Sequence, residues 1–161
     1  MAGRVTGRVA ALALTAALAA GATGCETLIP VSCDRTLADN PPVAYTGGVV
    51  ANGVYMSSPW DGEMLDFPGG ARYDLVVHGL GAAPHGVELF LSFDEFGTRG
   101  GGAVAPAAGN QAEVVGVVPC ASVCDAGDPA ACTERLCQPG DWVVQVANDS
   151  CVEYWLLVTA S

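Results

Sequence analysis

Short apolar segments, separated at close intervals by Gly, Pro, Asn and Asp, are the feature that most restricts what this chain can fold into. They follow one another from residue 48 to residue 159, and the 161-residue chain contains 21 glycines and 10 prolines. Closely spaced turn residues leave room for strands but not for long helices. No stretch in this part of the chain keeps a helical period over several turns. The pattern predicts an all-β domain.

Seven segments are candidate strands: 48–57, 63–67, 71–78, 86–94, 111–118, 141–148 and 151–159. The fourth has one apolar face, made of Val87, Leu89, Leu91 and Phe93. Its other face is polar and holds Glu88, Ser92 and Asp94. The third repeats this alternation, with Tyr73, Leu75 and Val77 opposite Arg72, Asp74 and His78. About seven strands with a period of two predict a small antiparallel β-sandwich.

The last segment is apolar on both faces, with Val152, Tyr154, Leu156 and Val158 alternating with Trp155 and Leu157. We interpret it as a central strand buried on both sides; the alternative is an exposed aromatic surface for a partner. Between the strands, Asn148-Asp149-Ser150 predicts a hairpin joining the last pair. The Gly- and Ala-rich segment 98–110 predicts a mobile loop.

The first two dozen residues have the layout of an export signal. Arg4 and Arg8 precede an apolar run over residues 9–20, and Ala22-Thr23-Gly24-Cys25 follows. The run is too short to cross a bilayer core of roughly 30 Å, so it predicts an N-terminal signal helix and not a permanent span. The motif resembles the lipobox of bacterial lipoproteins, with Ala22 where Leu is usual, which implies acylation of Cys25 and cleavage before it.

The odd number of cysteines supports lipidation of Cys25. The chain has seven cysteines, and an odd number in an oxidising compartment leaves one thiol unpaired. With Cys25 acylated, six remain for three disulfides: Cys33, Cys120, Cys124, Cys132, Cys137 and Cys151. The alternative is an ordinary secretory signal cut after Ala20-Gly21-Ala22. We divide the chain into a lipoprotein signal peptide (1–24), a lipidated cysteine with its tether (25–42) and a β-sandwich domain (43–161).

Four of these cysteines cluster between residues 120 and 137. Four cysteines could bind zinc, but export and the lack of paired C-x2-C knuckles favour disulfides. Six cysteines allow fifteen connectivities. Our hypothesis is that the cluster closes two local bridges and that Cys33 pairs with Cys151, which would tie the tether to the final strand.

The charge of the chain disfavours one class of partner. The part that begins at Cys25 keeps all 17 acidic residues and four of the six basic ones, so its formal charge is −13. Such a surface repels phosphate backbones and disfavours nucleic-acid binding, so we predict no nucleic-acid partner. The membrane, reached through the lipid anchor, and an envelope protein or glycan remain as partners.

The sequence offers few residues for catalysis. Its two histidines, His78 and His85, could act with carboxylates in a secreted hydrolase, but no G-x-S-x-G elbow is present and Ser92 is better placed as a surface hydroxyl. Five carboxylates in loops or at strand ends could bind calcium: Asp61, Glu63, Asp66, Asp94 and Glu95. In so acidic a chain, carboxylates cluster by chance, and we favour a solvated face over calcium binding for these five residues. We predict no catalytic residue and no obligatory cofactor.

Two segments resemble the central strands of bacterial pre-peptidase C-terminal domains: 67–77, of sequence FPGGARYDLVV, and 87–91, of sequence VELFL. Glu88 stands where that family usually has Asp, and the cysteine cluster is foreign to it. The resemblance implies a jelly-roll-like β-sandwich with a non-catalytic accessory role, and it transfers no functional residues. We therefore expect an exported, disulfide-stapled lipoprotein, anchored to the cell or outer membrane, that acts as a binding or structural module. Loops 98–110 and 120–137 are its predicted contact surfaces.

Overall fold

The computed structural model describes residues 40–124 and 135–161. Their regular structure is almost all β, which confirms the predicted fold class. The strands are β1 (Val43–Tyr45), β2 (Val49–Ala51), β3 (Val54–Met56), β4 (Leu65–Phe67), β5 (Arg72–Val77), β6 (Val87–Ser92), β7 (Ala105–Pro106), β8 (Ala112–Pro119), β9 (Trp142–Asn148) and β10 (Tyr154–Ala160). A 3₁₀ helix spans Cys120–Val123. The predicted signal, Cys25, Cys33 and Cys132 lie outside the described residues.

The strands form two sheets, as the sequence predicts. Sheet 1 has the order β1-β5-β9-β8, and sheet 2 has the order β2-β3-β10-β6-β7 with β4 also paired to β10. Every described pair is antiparallel except β1 with β5. This parallel pair departs from the expected antiparallel arrangement. It arises because the chain leaves sheet 1 after β1, builds β2 to β4 in sheet 2 and then re-enters sheet 1 at β5.

The core lies between the two sheets and follows the predicted period of two. Its buried side chains include Leu75, Val77, Val144 and Val146 from sheet 1 and Leu89, Leu91, Leu156 and Val158 from sheet 2. Two positions of the predicted pattern are wrong, Phe93 on the apolar face and Ser92 as a surface hydroxyl. Because β6 ends at Ser92, Phe93 leaves the apolar face and is 79% exposed, whereas Ser92 is buried.

Strand β10 is buried on both faces, which confirms our interpretation of the last segment. Leu156 and Val158 face the core, and Leu157, on the opposite face, is also fully buried. The strand pairs with β3, β4 and β6 and is therefore central in sheet 2. Val152 precedes it and is exposed.

The predicted hairpin at Asn148-Asp149-Ser150 is wrong. Strand β9 belongs to sheet 1 and β10 to sheet 2, so these residues carry the chain across the sandwich. The crossing is organised by the buried side chain of Asn148. Its Nδ2 donates to the carbonyls of Phe67, Pro68 and Val152 at 2.8–3.0 Å, and its Oδ1 accepts from the backbone N–H of Ser150 at 3.0 Å. A turn motif in the sequence does not show whether the two strands it joins share a sheet.

Two further segments differ from prediction. The segment 48–57 is a hairpin and not one strand, because Asn52 and Gly53 adopt positive φ values of 53° and 75° between β2 and β3. An Asn-Gly pair is the strongest local hairpin signal, and it was present in the sequence. The segment 98–110 is not a simple loop either, since it contains β7, which pairs with β6 through Phe90 and Leu91.

Three tyrosine hydroxyls of the strands donate to backbone carbonyls of other segments. Tyr45 donates to Ser57 at 2.9 Å, Tyr55 to Gly47 at 3.0 Å and Tyr73 to Asp66 at 2.7 Å. Burial is the main reason that the pKa of each tyrosine is raised above its ordinary value of 10. Negative charge adds to the effect, from Glu63 beside Tyr45 and from Asp66 beside Tyr73.

These raised pKa values predict a loss of stability above about pH 10. Unfolded tyrosines ionise near that pH, whereas folded Tyr45, Tyr55 and Tyr73 ionise at higher pH. The unfolded state then binds fewer protons, and the free energy of unfolding falls as pH rises. Tyr55, which is only 1% exposed, contributes up to about 1.4 kcal/mol per pH unit. Urea unfolding curves at neutral pH and above pH 10 measure the effect. Tyr55→Phe should flatten the profile, and equal stability at both pH values would contradict the prediction.

Candidate functional site

The outer face of sheet 1, which points away from the core, is covered by both ends of the cysteine-rich loop. Val76 and Val143 from the sheet pack with Cys120, and Val118, Val123 and Cys137 complete this small apolar cluster. A disulfide joins Cys120 to Cys137, with their Cα atoms 5.7 Å apart. One of the two bridges predicted within the cluster is therefore confirmed.

Cys124 and Cys151 are disulfide-bonded as well. Cysteines held in disulfides are not thiolates, so Cys120, Cys124 and Cys137 are unavailable as zinc ligands, and the zinc alternative fails for them. The pairing of Cys33 with Cys151 stays a prediction. Peptide mapping under non-reducing conditions tests it, and a bond from Cys33 to a cysteine of the cluster would contradict it.

Loss of the Cys120–Cys137 bridge should lower the free energy of unfolding by about 3 kcal/mol, because the bond closes a loop of 17 residues in the unfolded chain. The double variant Cys120→Ala with Cys137→Ala removes it without burying a hydroxyl at the fully buried Cys120. The midpoint of urea unfolding is the measurement. Ser122→Ala, on the exposed side of the same 3₁₀ helix, is the matched control, and an equal midpoint in all three proteins would refute the prediction.

A buried ion pair lies on the same face. Asp74 of β5 is 1% exposed, and its carboxylate accepts hydrogen bonds from the guanidinium of Arg135 and, at 3.0 Å, from Nε2 of Gln145 on β9. The register places Asp74 directly opposite Gln145. Sequence alternation put Asp74 on the outer face correctly, but only the covering loop explains why it is buried. A carboxylate with these partners holds the loop on the sheet and is not free to act on a ligand.

A second polar pair lies at the end of β5. Nδ1 of His78 is 2.7 Å from Oδ2 of Asp141, and the same oxygen accepts the backbone N–H of Gln138 at 2.6 Å. Asp141 is buried and His78 about one-third exposed. The sequence singled out His78 as a hydrolase candidate but not Asp141, whose position just before β9 carried no motif. Its burial beside a histidine appears only in the tertiary structure.

Among the described residues, those that line the cavity beside this pair carry no nucleophilic side chain. A cavity of about 440 Å³ adjoins Asp141 and is lined by Pro119, Ala121, Cys137, Gln138, Pro139, Gly140 and Trp142 as well. Among these residues, no side chain carries a hydroxyl, and the sulfur of Cys137 is in a disulfide. His85 is exposed, and its backbone N–H donates to Ser161. The hydrolase alternative therefore has a His–Asp pair but no nucleophile lining the cavity beside it.

The five candidate calcium ligands lie on two neighbouring loops and a strand. The backbone N–H of Met64 donates to the carbonyl of Glu95 at 2.8 Å, which brings the loop that carries Asp61 and Glu63 against the one that carries Asp94. Asp66 lies on β4 with its side chain exposed. Within residues 40–124 and 135–161, no three His, Cys, Asp or Glu side chains form a group that could hold a metal ion.

These two loops present aromatic side chains that the sequence analysis did not single out. We call the surface formed by Trp60, Asp61, Glu63, Phe96 and Arg99 the aromatic loop surface. Trp60 is 43% exposed and Phe96 is 36% exposed. Large aromatics are usually buried, so their exposure on adjoining loops is typical of a binding surface. A Trp and a Phe near turn residues were visible in the sequence, but nothing local showed that the two loops meet.

Comparison with known proteins identifies no relative: no protein-family model, no curated protein and no solved structure matches the chain. The likeness to pre-peptidase C-terminal domains therefore stays a prediction. In the described part of the chain, no helix is long and apolar enough to cross a membrane.

Proposed function

We propose that this protein is an exported bacterial lipoprotein whose β-sandwich acts by binding, without catalysis, at the surface of the cell envelope. Anchoring is supported by Ala22-Thr23-Gly24-Cys25, which follows a basic head and an apolar run with the layout of an export signal. Two acyl chains on Cys25 would hold the protein stably at a membrane, whereas one chain holds only marginally.

The observation that carries the binding role is the exposed Trp60. Its ring is fixed, because it packs edge-on against Phe90 with the ring centroids 4.7 Å apart. A rigid, partly exposed Trp loses little conformational entropy when a partner covers it, which is why Trp dominates many interfaces. Two polar pairs resemble catalytic groups, His78 with Asp141 and Asp74 with Arg135. Asp141 also accepts the backbone N–H of Gln138, and Asp74 holds Arg135 of the covering loop.

The intact mass of the membrane-extracted protein, taken after thiol alkylation without reduction, tests the anchor. We expect a mass that begins at Cys25, includes acyl chains and shows no alkylated cysteine. Cys25→Ser is the control and should remove both the acyl mass and the membrane attachment. A chain that begins elsewhere, or that carries no acyl mass, would overturn the lipoprotein proposal.

A further inference from the structure

We propose that the aromatic loop surface binds a cationic, Arg- or Lys-rich segment of an envelope protein. The inference rests on the proposed binding function and adds the chemistry of the partner. It follows from three properties of the surface: the two loops are rigid, their aromatic side chains are exposed, and their charges are almost all negative.

The first loop, which carries Asp61 and Glu63, holds Trp60 in a tight turn. The backbone N–H of Gly62 donates to the carbonyl of Pro59 at 3.0 Å, and a Cβ at Gly62 would lie only 2.9 Å from the Pro59 ring. With its ring packed on Phe90, Trp60 is held at both its backbone and its side chain. Its exposed area is therefore presented in one orientation.

The second loop, which carries Asp94 and Phe96, is folded against the first. Besides the bond from Met64 to Glu95, Gly97 lies where a Cβ would be 3.2 Å from Sδ of Met64 and 2.8 Å from Val104. Gly97 also has a φ of 51°, which glycine adopts without strain. The backbone N–H of Phe96 donates to the carboxylate of Asp94 at 2.9 Å, which fixes the start of the turn. Trp60 and Phe96 thus belong to one preformed surface.

The charge on these loops favours a cation. Asp61 and Glu63 are exposed, and Asp94 and Glu95 are half-buried. Arg99 is the one basic residue on these two loops, and its guanidinium lies 6.0 Å from the centroid of the Phe96 ring. That contact shows that a guanidinium can occupy the face of an aromatic ring on this surface. A partner's Arg or Lys could stack on Trp60 in the same way while the neighbouring carboxylates pair with its charge.

The charge of the whole molecule acts in the same direction. At a formal charge of −13 after Cys25, the field attracts a cationic segment and repels polyanions. A neutral glycan could also stack on Trp60, but it would gain nothing from the surrounding charge. Salt dependence therefore distinguishes the two kinds of partner.

The test is a calorimetric titration of the full-length protein, extracted in an uncharged detergent, with a synthetic peptide of alternating Arg and Gly. A Glu-Gly peptide and an uncharged chitin oligosaccharide are titrated in parallel. We expect the Arg-Gly peptide alone to bind, more weakly as salt is raised. Trp60→Ala should weaken binding about tenfold, and Asp61→Asn with Glu63→Gln should weaken it several-fold and flatten its salt dependence.

Two control variants keep the test specific. Phe93→Ala removes an aromatic side chain that is 79% exposed but contacts Tyr154 instead, and Glu113→Gln removes an exposed charge on β8 in the other sheet. Both should bind like the unmodified protein. Equal losses in the Trp60 and Phe93 variants, or no binding of the Arg-Gly peptide, would overturn the inference. Binding of the oligosaccharide at Trp60 would also overturn the inference of a cationic partner, but it would agree with the proposed binding function. The intact-mass measurement tests the lipid anchor independently.

Discussion

Replacement of Arg135 by Ala should lower the free energy of unfolding by about 3–5 kcal/mol. The side chain of Asp74 is 2% exposed, and Arg135 is the one cation that pairs with it among the described residues. Without Arg135, a buried carboxylate keeps only the amide of Gln145 as its hydrogen-bond donor. Because that charge would stay buried without its ion-pair partner, the cost exceeds that of losing an exposed ion pair. Urea unfolding at neutral pH measures it.

The double variant Asp74→Leu with Arg135→Met should recover most of the loss, because no uncompensated charge remains in the apolar surroundings. Arg99→Ala is the matched control, since Arg99 is exposed and has no carboxylate within salt-bridge distance among the described residues. It should change the free energy of unfolding by less than about 0.5 kcal/mol. If Arg135→Ala and Arg99→Ala were equally stable, the ion pair would not hold the loop on sheet 1.

Replacement of Asn148 by Asp should destabilise the protein by about 3–5 kcal/mol, or prevent folding at neutral pH. The substitution keeps the shape but exchanges an amide that donates to three carbonyls for a carboxylate that repels them. Asn148 is 2% exposed, so water cannot screen the new charge. The carbonyls of Phe67, Pro68 and Val152 would lose their donor at the point where the chain crosses between the sheets.

The melting temperature of the Asn148→Asp variant is compared with that of an Asn110→Asp control. Asn110 is exposed, so the same substitution there buries no charge. The control should melt close to the unmodified protein. If the Asn148→Asp variant folds, its deficit should shrink in mild acid, where the new carboxyl is protonated and can donate one hydrogen bond. A melting temperature equal to that of the control would show that the amide of Asn148 does not hold the crossing.

The sequence predicted the strands well where apolar and polar residues alternate. The alternation of β5 and β6 identified Leu75, Val77, Leu89 and Leu91 as core residues, because period two alone decides which side chains share a face. The alternation failed to predict the exposure of Phe93, because β6 ends at the residue before it. Strand ends depend on neighbouring strands, which the local pattern does not contain.

The candidate site was harder to predict. His78 was singled out, but its partner Asp141 lies 63 residues further along the chain. Asp74 and Arg135 are 61 residues apart. Contacts of this kind depend on which loop folds onto which sheet, and no local period records that. Trp60 became a binding candidate only when the structure showed it exposed on a loop that contacts the loop of Phe96.

The sequence by itself determined the all-β class and the alternating core, because turn residues and side-chain period act locally. It also placed four cysteines within one short segment, so that bridges within the cluster could be expected, but the pairing of Cys120 with Cys137 came from the structure. Only the tertiary structure decided that β9 and β10 belong to different sheets, that β1 runs parallel to β5, and that Asp74 is buried. These features depend on contacts between residues far apart in the chain, whose free energy no short segment determines.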